Sequence, residues 1–427
     1  VAKESWRLLR LAEWLLIALV FALPLVRPFN LSLFEFTLPP SDFIFIVAAI
    51  VWVAALIAGQ TEFRRSRFYL PLALYLSAMI VSTVLSEDVR RSAIKLAGET
   101  YLIGLAVLTF NLVTSIQILK RVMIAWLAGT FVTVLVGVAG VILFYAGVRS
   151  HYVNLALSGY GSLPPGNYPR IQALFDNMNM LCNYLNVSLV IALIAYLEGW
   201  LSRRVFLAFS FALWACAFFT FSPGLGGMFL SAALWARMKD SGKRLGVIVA
   251  SMLATAFFLA ATISPVSTGQ RQFLILPSTQ IRIEPSSRAL TWQSSLETIR
   301  RHPVFGRGVG LEVADVTYLA ASGFHQHLTD AHNVWLSVAG QEGIVGALAL
   351  VSVVVFLLKG IRWFKSNASI HASLAMAFIG AFLYQGLSGS FEDARHIWVL
   401  IGMLAAVKEW LVAERSSALA RLCPESL

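Results

Sequence analysis

Charged side chains are scarce: 13% of the 427 residues are Asp, Glu, Lys or Arg, against 58% that are hydrophobic. That shortage excludes an ordinary soluble domain of this length, whose surface needs far more polar cover. Cysteine is nearly absent. Cys182, Cys216 and Cys423 make no disulfide framework; two lie in apolar runs and one in the tail, as packing residues do. No internal repeat or low-complexity tract interrupts the chain. A net charge of +11 would point to nucleic acid only if the basic residues clustered on a soluble face. They sit instead between apolar runs, where they set topology and meet anionic lipid headgroups, so no nucleic-acid partner is expected.

What the chain has is apolar length. Runs such as Ile44 to Ala58, Leu245 to Ala261 and Ile344 to Leu358 are apolar on every face, unlike the one-sided stripe of a soluble helix. Such runs can cross a ~30 Å hydrocarbon core as helices. The expected fold is an all-α polytopic membrane protein of about 12 spans: 12–28, 42–59, 69–86, 92–111, 122–147, 178–199, 205–221, 224–238, 245–263, 332–358, 371–388 and 396–413. The first run follows Lys3, Arg7 and Arg10 as in a signal peptide, but it lacks a small-x-small cleavage site and reads as an uncleaved span.

With the N-terminus in the cytoplasm and one crossing per span, 20 of the 33 Lys and Arg residues fall inside and 13 outside, six of the 13 in one long loop. Among short segments the ratio is 20 to 7, which places both termini in the cytoplasm. The expected organisation is spans one to nine in residues 1–263, a large partly helical periplasmic loop in 264–331, spans ten to twelve in 332–413 and a cytoplasmic tail in 414–427. The loop is the only stretch long enough for secondary structure of its own, and long ordered loops are usually functional.

Within it, Pro285-Ser-Ser-Arg-Ala-Leu-Thr-Trp-Gln-Ser-Ser-Leu-Glu-Thr-Ile-Arg-Arg-His-Pro303 predicts a helix capped by Ser286 or Ser287 and ended at His302-Pro303. Arg288, Trp292, Ser295 and Ile299 share one face, with Arg288 in the first turn, where free N–H groups and the helix dipole favour an anion. Guanidinium groups match phosphate oxygens with paired hydrogen bonds. Arg288, Arg282 and Arg170 from the other outer segment can together grip a pyrophosphate; alternatively each is solvated or meets a headgroup. Gly306-Arg-Gly-Val-Gly310 lacks the strand–helix context and glycine spacing of a dinucleotide loop and reads as a tight turn, with Arg307 an optional anion contact.

His332 is expected to open the tenth span at its outer end, with Leu336, Ala339, Gly343 and Gly346 on its face as a small-residue stripe that admits another helix. An imidazole there can take a proton from a hydroxyl near neutral pH, and Asn333 can orient it or a substrate oxygen. Glu342, about 15 Å deeper along the helix and facing away, reads as a structural partner. His325, His327, Asp330 and His332 match no strong zinc signature, so no metal is expected. Lys95 and Glu99 are spaced to satisfy each other within one span.

The run His332-Asn-x-x-Leu336 followed by Glu342-Gly-x-x-Gly346, opening a span after a long outer loop, resembles the O-antigen ligase and polymerase superfamily. Arg288 with Trp292 resembles that family's loop helix. Arg170-Ile-Gln-Ala-Leu-Phe-Asp-Asn-Met-Asn179 resembles the segment opening a middle span. In Thr220-Phe-Ser-Pro-Gly-Leu-Gly-Gly227, Pro223 stands where relatives often carry arginine, so another arginine must supply any phosphate contact there.

The resemblance implies a C-type glycosyltransferase in the bacterial inner membrane with its site facing the periplasm, without metal or nucleotide cofactor. It would move O-antigen from undecaprenyl diphosphate to a sugar hydroxyl of the lipid A core. His332 and Arg288 would be catalytic; Arg170, Arg282, Asn177, Asn179, Trp292, Arg307 and Asn333 would bind substrate; Glu342, Gly343 and Gly346 would be structural. Alternatives are a polymerase joining carrier-linked repeats, a transferase acting on protein hydroxyls, and a non-enzymatic glycolipid transporter. The last would show paired broken helices in two related halves, which are not evident in the sequence.

Overall fold

A computed structural model describes residues 7–28, 31–33, 36–148, 150–160, 168–238, 245–263, 274–275, 282–283, 288–319, 325–361 and 370–422. Twelve long helices carry the fold among these residues: α1 (Arg7–Ala22), α2 (Pro40–Ile57), α3 (Tyr69–Val84), α4 (Val89–Leu112), α5 (Ile116–Tyr145), α7 (Met178–Leu197), α8 (Arg203–Phe218), α9 (Leu225–Met238), α10 (Leu245–Ile263), α12 (Val334–Leu358), α13 (Ile370–Phe378, continued by a π-turn at Ile379–Tyr384) and α14 (Arg395–Leu422). Two shorter helices, α6 (His151–Ala156) and α11 (Arg288–Arg301), lie between them. The protein is thus an all-α polytopic membrane protein. Six of the helices are long and apolar enough by themselves to cross a bilayer, and three more are shorter apolar helices.

Local chemistry sets the helix starts. The side chains of Asp88, Ser115, Ser202, Asn177 and Asn333 each accept from a backbone amide in the first turn, satisfying N–H groups that would otherwise lack partners. Large apolar side chains stay outward on several helices: Ile46 and Ile50 on α2, Phe131, Leu135 and Ile142 on α5, and Leu348 and Val355 on α12. Such stripes suit contact with lipid tails.

Side-chain bonds sort the helix ends into two groups. At one end, Arg395 grips Asp42 at 2.6 and 2.8 Å, Lys95 meets Asp393 at 2.5 Å, Arg170 donates to the Thr220 carbonyl at 2.8 Å and Arg27 pairs with Asp176. At the other, Gln60 accepts from the Leu8 and Leu9 amides, Arg64 donates to the Phe110 carbonyl at 2.7 Å, Ser66 bonds Glu409 at 2.6 Å and Lys408 reaches the Phe356 carbonyl. The first group comes from segments that the charge pattern puts outside, the second from segments it puts inside.

The boundaries differ from expectation in places. The outer segment before α7 has structure of its own, α6 and a hairpin of β3 (Leu157–Tyr160) with β4 (Tyr168–Ile171), so the long loop is not alone in this. A further hairpin, β1 (Leu31–Leu33) with β2 (Phe36–Leu38), follows α1. Within the long loop, β5 (Leu274–Ile275) pairs with β6 (Arg282–Ile283) and β7 (Val316–Leu319) with β8 (His325–Leu328). The last helix runs on to Leu422, through most of the stretch read as a tail. Cys423 and the caps Ser286 and Ser287 lie outside the described residues.

The largest departure is α12. His332 does not open this helix: Asn333 caps it and the helix starts at Val334. Nor is the helix continuous. Gly343 has φ 70° and ψ −167°, a conformation essentially confined to glycine, and the α-helical ladder breaks there. The turn after α11 fills the break. Carbonyls of Pro303 and Val304 accept the amides of Ile344 and Val345 at 2.9 and 3.3 Å, while amides of Arg307 and Gly308 donate to the carbonyls of Gly340 and Gln341 at 2.9 and 3.0 Å. Every backbone group in this list would be costly to bury alone. At Gly343 the small-residue stripe therefore receives this turn. A Cβ at Gly343 would overlap the Val304 and Phe305 backbone, one at Gly306 would overlap Gln341, and one at Gly346 would strike the side chain of Glu342.

Candidate active site

Three segments meet where α11 begins. The guanidinium of Arg288 donates through Nε to the Ser388 carbonyl at 3.1 Å, in the turn between α13 and α14. The amide of Asn333 reaches the neighbouring Leu387 carbonyl at 3.4 Å, while its oxygen caps α12 through the amides of Trp335 and Leu336. The Thr291 hydroxyl, fully buried on α11, lies 3.4 Å from the carbonyl of Ala331. Arg288 and Asn333, the neighbour of His332, are thus held by adjacent residues of one turn.

Arg170 approaches from β4. Its Nε and a terminal nitrogen donate to the carbonyls of Thr220 and Phe221 at 2.8 and 3.3 Å. This places a guanidinium on the turn where Pro223 stands in the position at which an arginine is expected. Burial pushes the Arg288 pKa down from its ordinary value, and the positive charge of Arg170 pushes the same way. Arg170 thus lies close enough for its charge to act on Arg288, and guanidinium groups suit the oxygens of an anion.

His332 stands at the edge of this group. Its Nδ1 is 3.1 Å from Asp330 Oδ2, and its side chain is 37% exposed. Burial raises the Asp330 pKa, but the hydrogen bond and charge of His332, with the Ser390 hydroxyl, outweigh it and hold the carboxyl below its usual range. His332 also has φ 49°. The other non-glycine residues with positive φ among those described are Ala173, beside β4, and Phe221, which Arg170 binds. Strained backbone of this kind costs ~1–3 kcal/mol each and clusters at functional sites. Here all three strained residues flank the same group of side chains.

Other expected site residues are placed as follows. Asn177 caps α7, its oxygen 2.7 Å from the Asn179 amide, which commits it to the helix. Asn179 Oδ1 and the Trp292 indole nitrogen are buried without a hydrogen-bond partner among the described residues. Arg282 lies in β6, with its side chain outside the described residues. Arg307 is drawn elsewhere: it binds Glu87 at 2.6 Å and the Glu312 carbonyl at 3.1 Å, and His302 meets the same Glu87 at 3.2 Å. Because α11 is 14 residues long, about 20 Å at the usual rise, that cluster lies far from Arg288. His327 faces Asp315 at 2.9 Å and so turns to a different carboxylate from His332; the His325 side chain lies outside the described residues.

Glu342 accepts from the Tyr75 hydroxyl at 3.2 Å and is 3% exposed. Lys95 meets Glu99 at 3.2 Å as its spacing predicts, and also Asp393. Sequence reasoning missed the turn after α13. Ser388, Ser390, Glu392 and Asp393 carry no motif, although a short acidic and serine-rich break between two apolar spans was a signal that could have flagged them.

Residues 184–351 match the family model described as O-antigen ligase. No curated protein matches the chain. The match takes in α11, His332, the first half of α12 and part of its second; Arg170 and the turn after α13 lie outside it.

Proposed function

We propose that this chain, whose residues 184–351 belong to the O-antigen ligase superfamily, is an O-antigen ligase. It transfers glycan from undecaprenyl diphosphate to a sugar hydroxyl of lipid A core, at the periplasmic face of the inner membrane. Both termini are then cytoplasmic and the end of the bundle bearing α11 is periplasmic, as the Lys and Arg distribution supports. The observation that carries the reading is the convergence of Arg170, Arg288 and His332 from three separate segments on one end of the bundle.

The chemistry follows from the groups. An acceptor hydroxyl attacks the anomeric carbon and loses its proton to Nε2 of His332, the ring nitrogen that Asp330 does not hold. The bond from that carbon to the diphosphate oxygen breaks, and the leaving undecaprenyl diphosphate takes the electron pair. Its added negative charge is met by Arg288 and Arg170, which stabilise the transition state more than the ground state. Attack opposite the leaving group inverts the configuration. The Trp292 indole N–H can donate to a diphosphate or sugar oxygen, and Asn179 Oδ1 can accept from a sugar hydroxyl.

The lipopolysaccharide of a deletion strain tests the assignment. Loss of all O-antigen from lipid A core, with carrier-linked polymer accumulating, is the expected result. Core bearing a single repeat would replace the ligase by a polymerase, and unchanged banding would remove both. For the base, near wild-type transfer by His332→Ala with purified donor and acceptor would end its role.

A further inference from the structure

A histidine that acts as a base through one nitrogen must keep its proton on the other. At His332 a partner for that second nitrogen is in place. We infer that Asp330 is the positioning residue of His332 and that Ser390 in turn fixes Asp330; this rests on the base reading given above.

The geometry has three parts. Asp330 Oδ2 is 3.1 Å from Nδ1, and an ionised carboxylate only accepts, so Nδ1 carries the hydrogen and Nε2 keeps its lone pair. The Ser390 hydroxyl lies 2.7 and 2.8 Å from the two Asp330 oxygens and holds the carboxylate plane. The backbone is fastened on either side. The Thr329 carbonyl accepts from Val313 and Ala314, Ala331 is fully buried under Thr291, and Asn333 caps α12. Between these anchors His332 is bent to φ 49°, a conformation that puts its ring beside Asp330 rather than along the helix.

When Nε2 takes the acceptor proton, the imidazolium formed stands against a carboxylate that is already ionised. The proton then leaves to solvent from a half-exposed ring. Among the described residues, the other charged groups near the pair include Arg288 from α11, tied to Ser388, Arg170 from β4, and Glu392 and Asp393 from the turn before α14. Glu392 feels the charge of Asp330 and is itself buried, and burial pushes its carboxyl well above the usual range.

The test uses the full chain in lipid nanodiscs with a polyprenyl-diphosphate-linked glycan and a core-sugar acceptor, with initial rates taken across pH. Asp330→Asn is expected to lower kcat by about 100-fold, the low end of a general-base contribution. It should also move the acidic limb of the kcat profile to lower pH, because the imidazolium has lost its carboxylate. Asp330→Glu should recover part of the rate, and Ser390→Ala should show a smaller loss in the same sense. If Asp330→Asn keeps the wild-type limb while His332→Ala is inactive, the positioning role falls and the base stands. If His332→Ala transfers at the wild-type rate, the base reading falls and this one with it. A loss of rate in Asp330→Asn matched by a loss of folded protein, with the limb unmoved, also overturns the inference.

Discussion

The two ends of α11 hold the same kind of side chain in opposite circumstances. At its C-terminal end, Arg307 and His302 close on a shared carboxylate, Glu87, and link the loop to the α3–α4 turn. At its N-terminal end, Arg288 is bonded to a backbone carbonyl and stands near a second guanidinium, and its pKa is depressed. The first arrangement neutralises charge and fastens the loop. The second brings two guanidinium groups to the place proposed for a diphosphate. An arginine's place in the chain thus says less about its role than the groups it meets.

The sharpest way to break this contrast is to remove the anchor of the turn that follows α11. Gly343→Ala must hold a conformation that costs a side chain ~1–3 kcal/mol, and its Cβ overlaps the Val304 backbone besides. Loss of monodisperse, folded protein on detergent gel filtration is expected; a normal profile would refute the inserted turn. Next in size, Arg288→Ala should lower kcat by about 100- to 1,000-fold, the range for loss of a transition-state charge contact. The variant's unfolding temperature should change little, and Arg288→Lys should recover only part of the rate.

Arg307→Ala is the counterpart at the other end. It should leave kcat within about twofold and cost on the order of 0.5 kcal/mol, since both it and Glu87 are partly exposed. If its kcat loss equals that of Arg288→Ala, the division between the two ends fails. The smallest effect is on acid stability. Asp330 has a folded pKa below its unfolded one, so its contribution is present above the unfolded value and is lost as pH falls through the folded value. Thermal unfolding followed from neutral pH into the acid range should steepen less for Asp330→Asn than for wild type.

Much of the architecture was legible beforehand because it rests on simple quantities. Run length and charge between runs gave twelve helices and sorted their ends, and the bonds Asp42–Arg395 and Ser66–Glu409 respect that sorting. The helix at Arg288 and the Lys95–Glu99 pair follow from local spacing. The break at Gly343 was not legible, because periodicity assumes a continuous helix and the groups that complete the break come from 33 to 41 residues upstream. For the same reason Asp330 was assigned no role: its partner Ser390 is 60 residues away and belongs to no motif. Arg307 was misjudged because its fate depends on Glu87, 220 positions distant.

The turn threaded into α12 has a bearing on how the protein is made. A ribosome delivers residues 303–308 before 340–345, so the amides and carbonyls that complete the interrupted helix are already synthesised when its two halves emerge. Placing that turn downstream of α12 by circular permutation would leave the second half to enter the bilayer with its first amides uncovered. Chain order here does the work of an assembly factor.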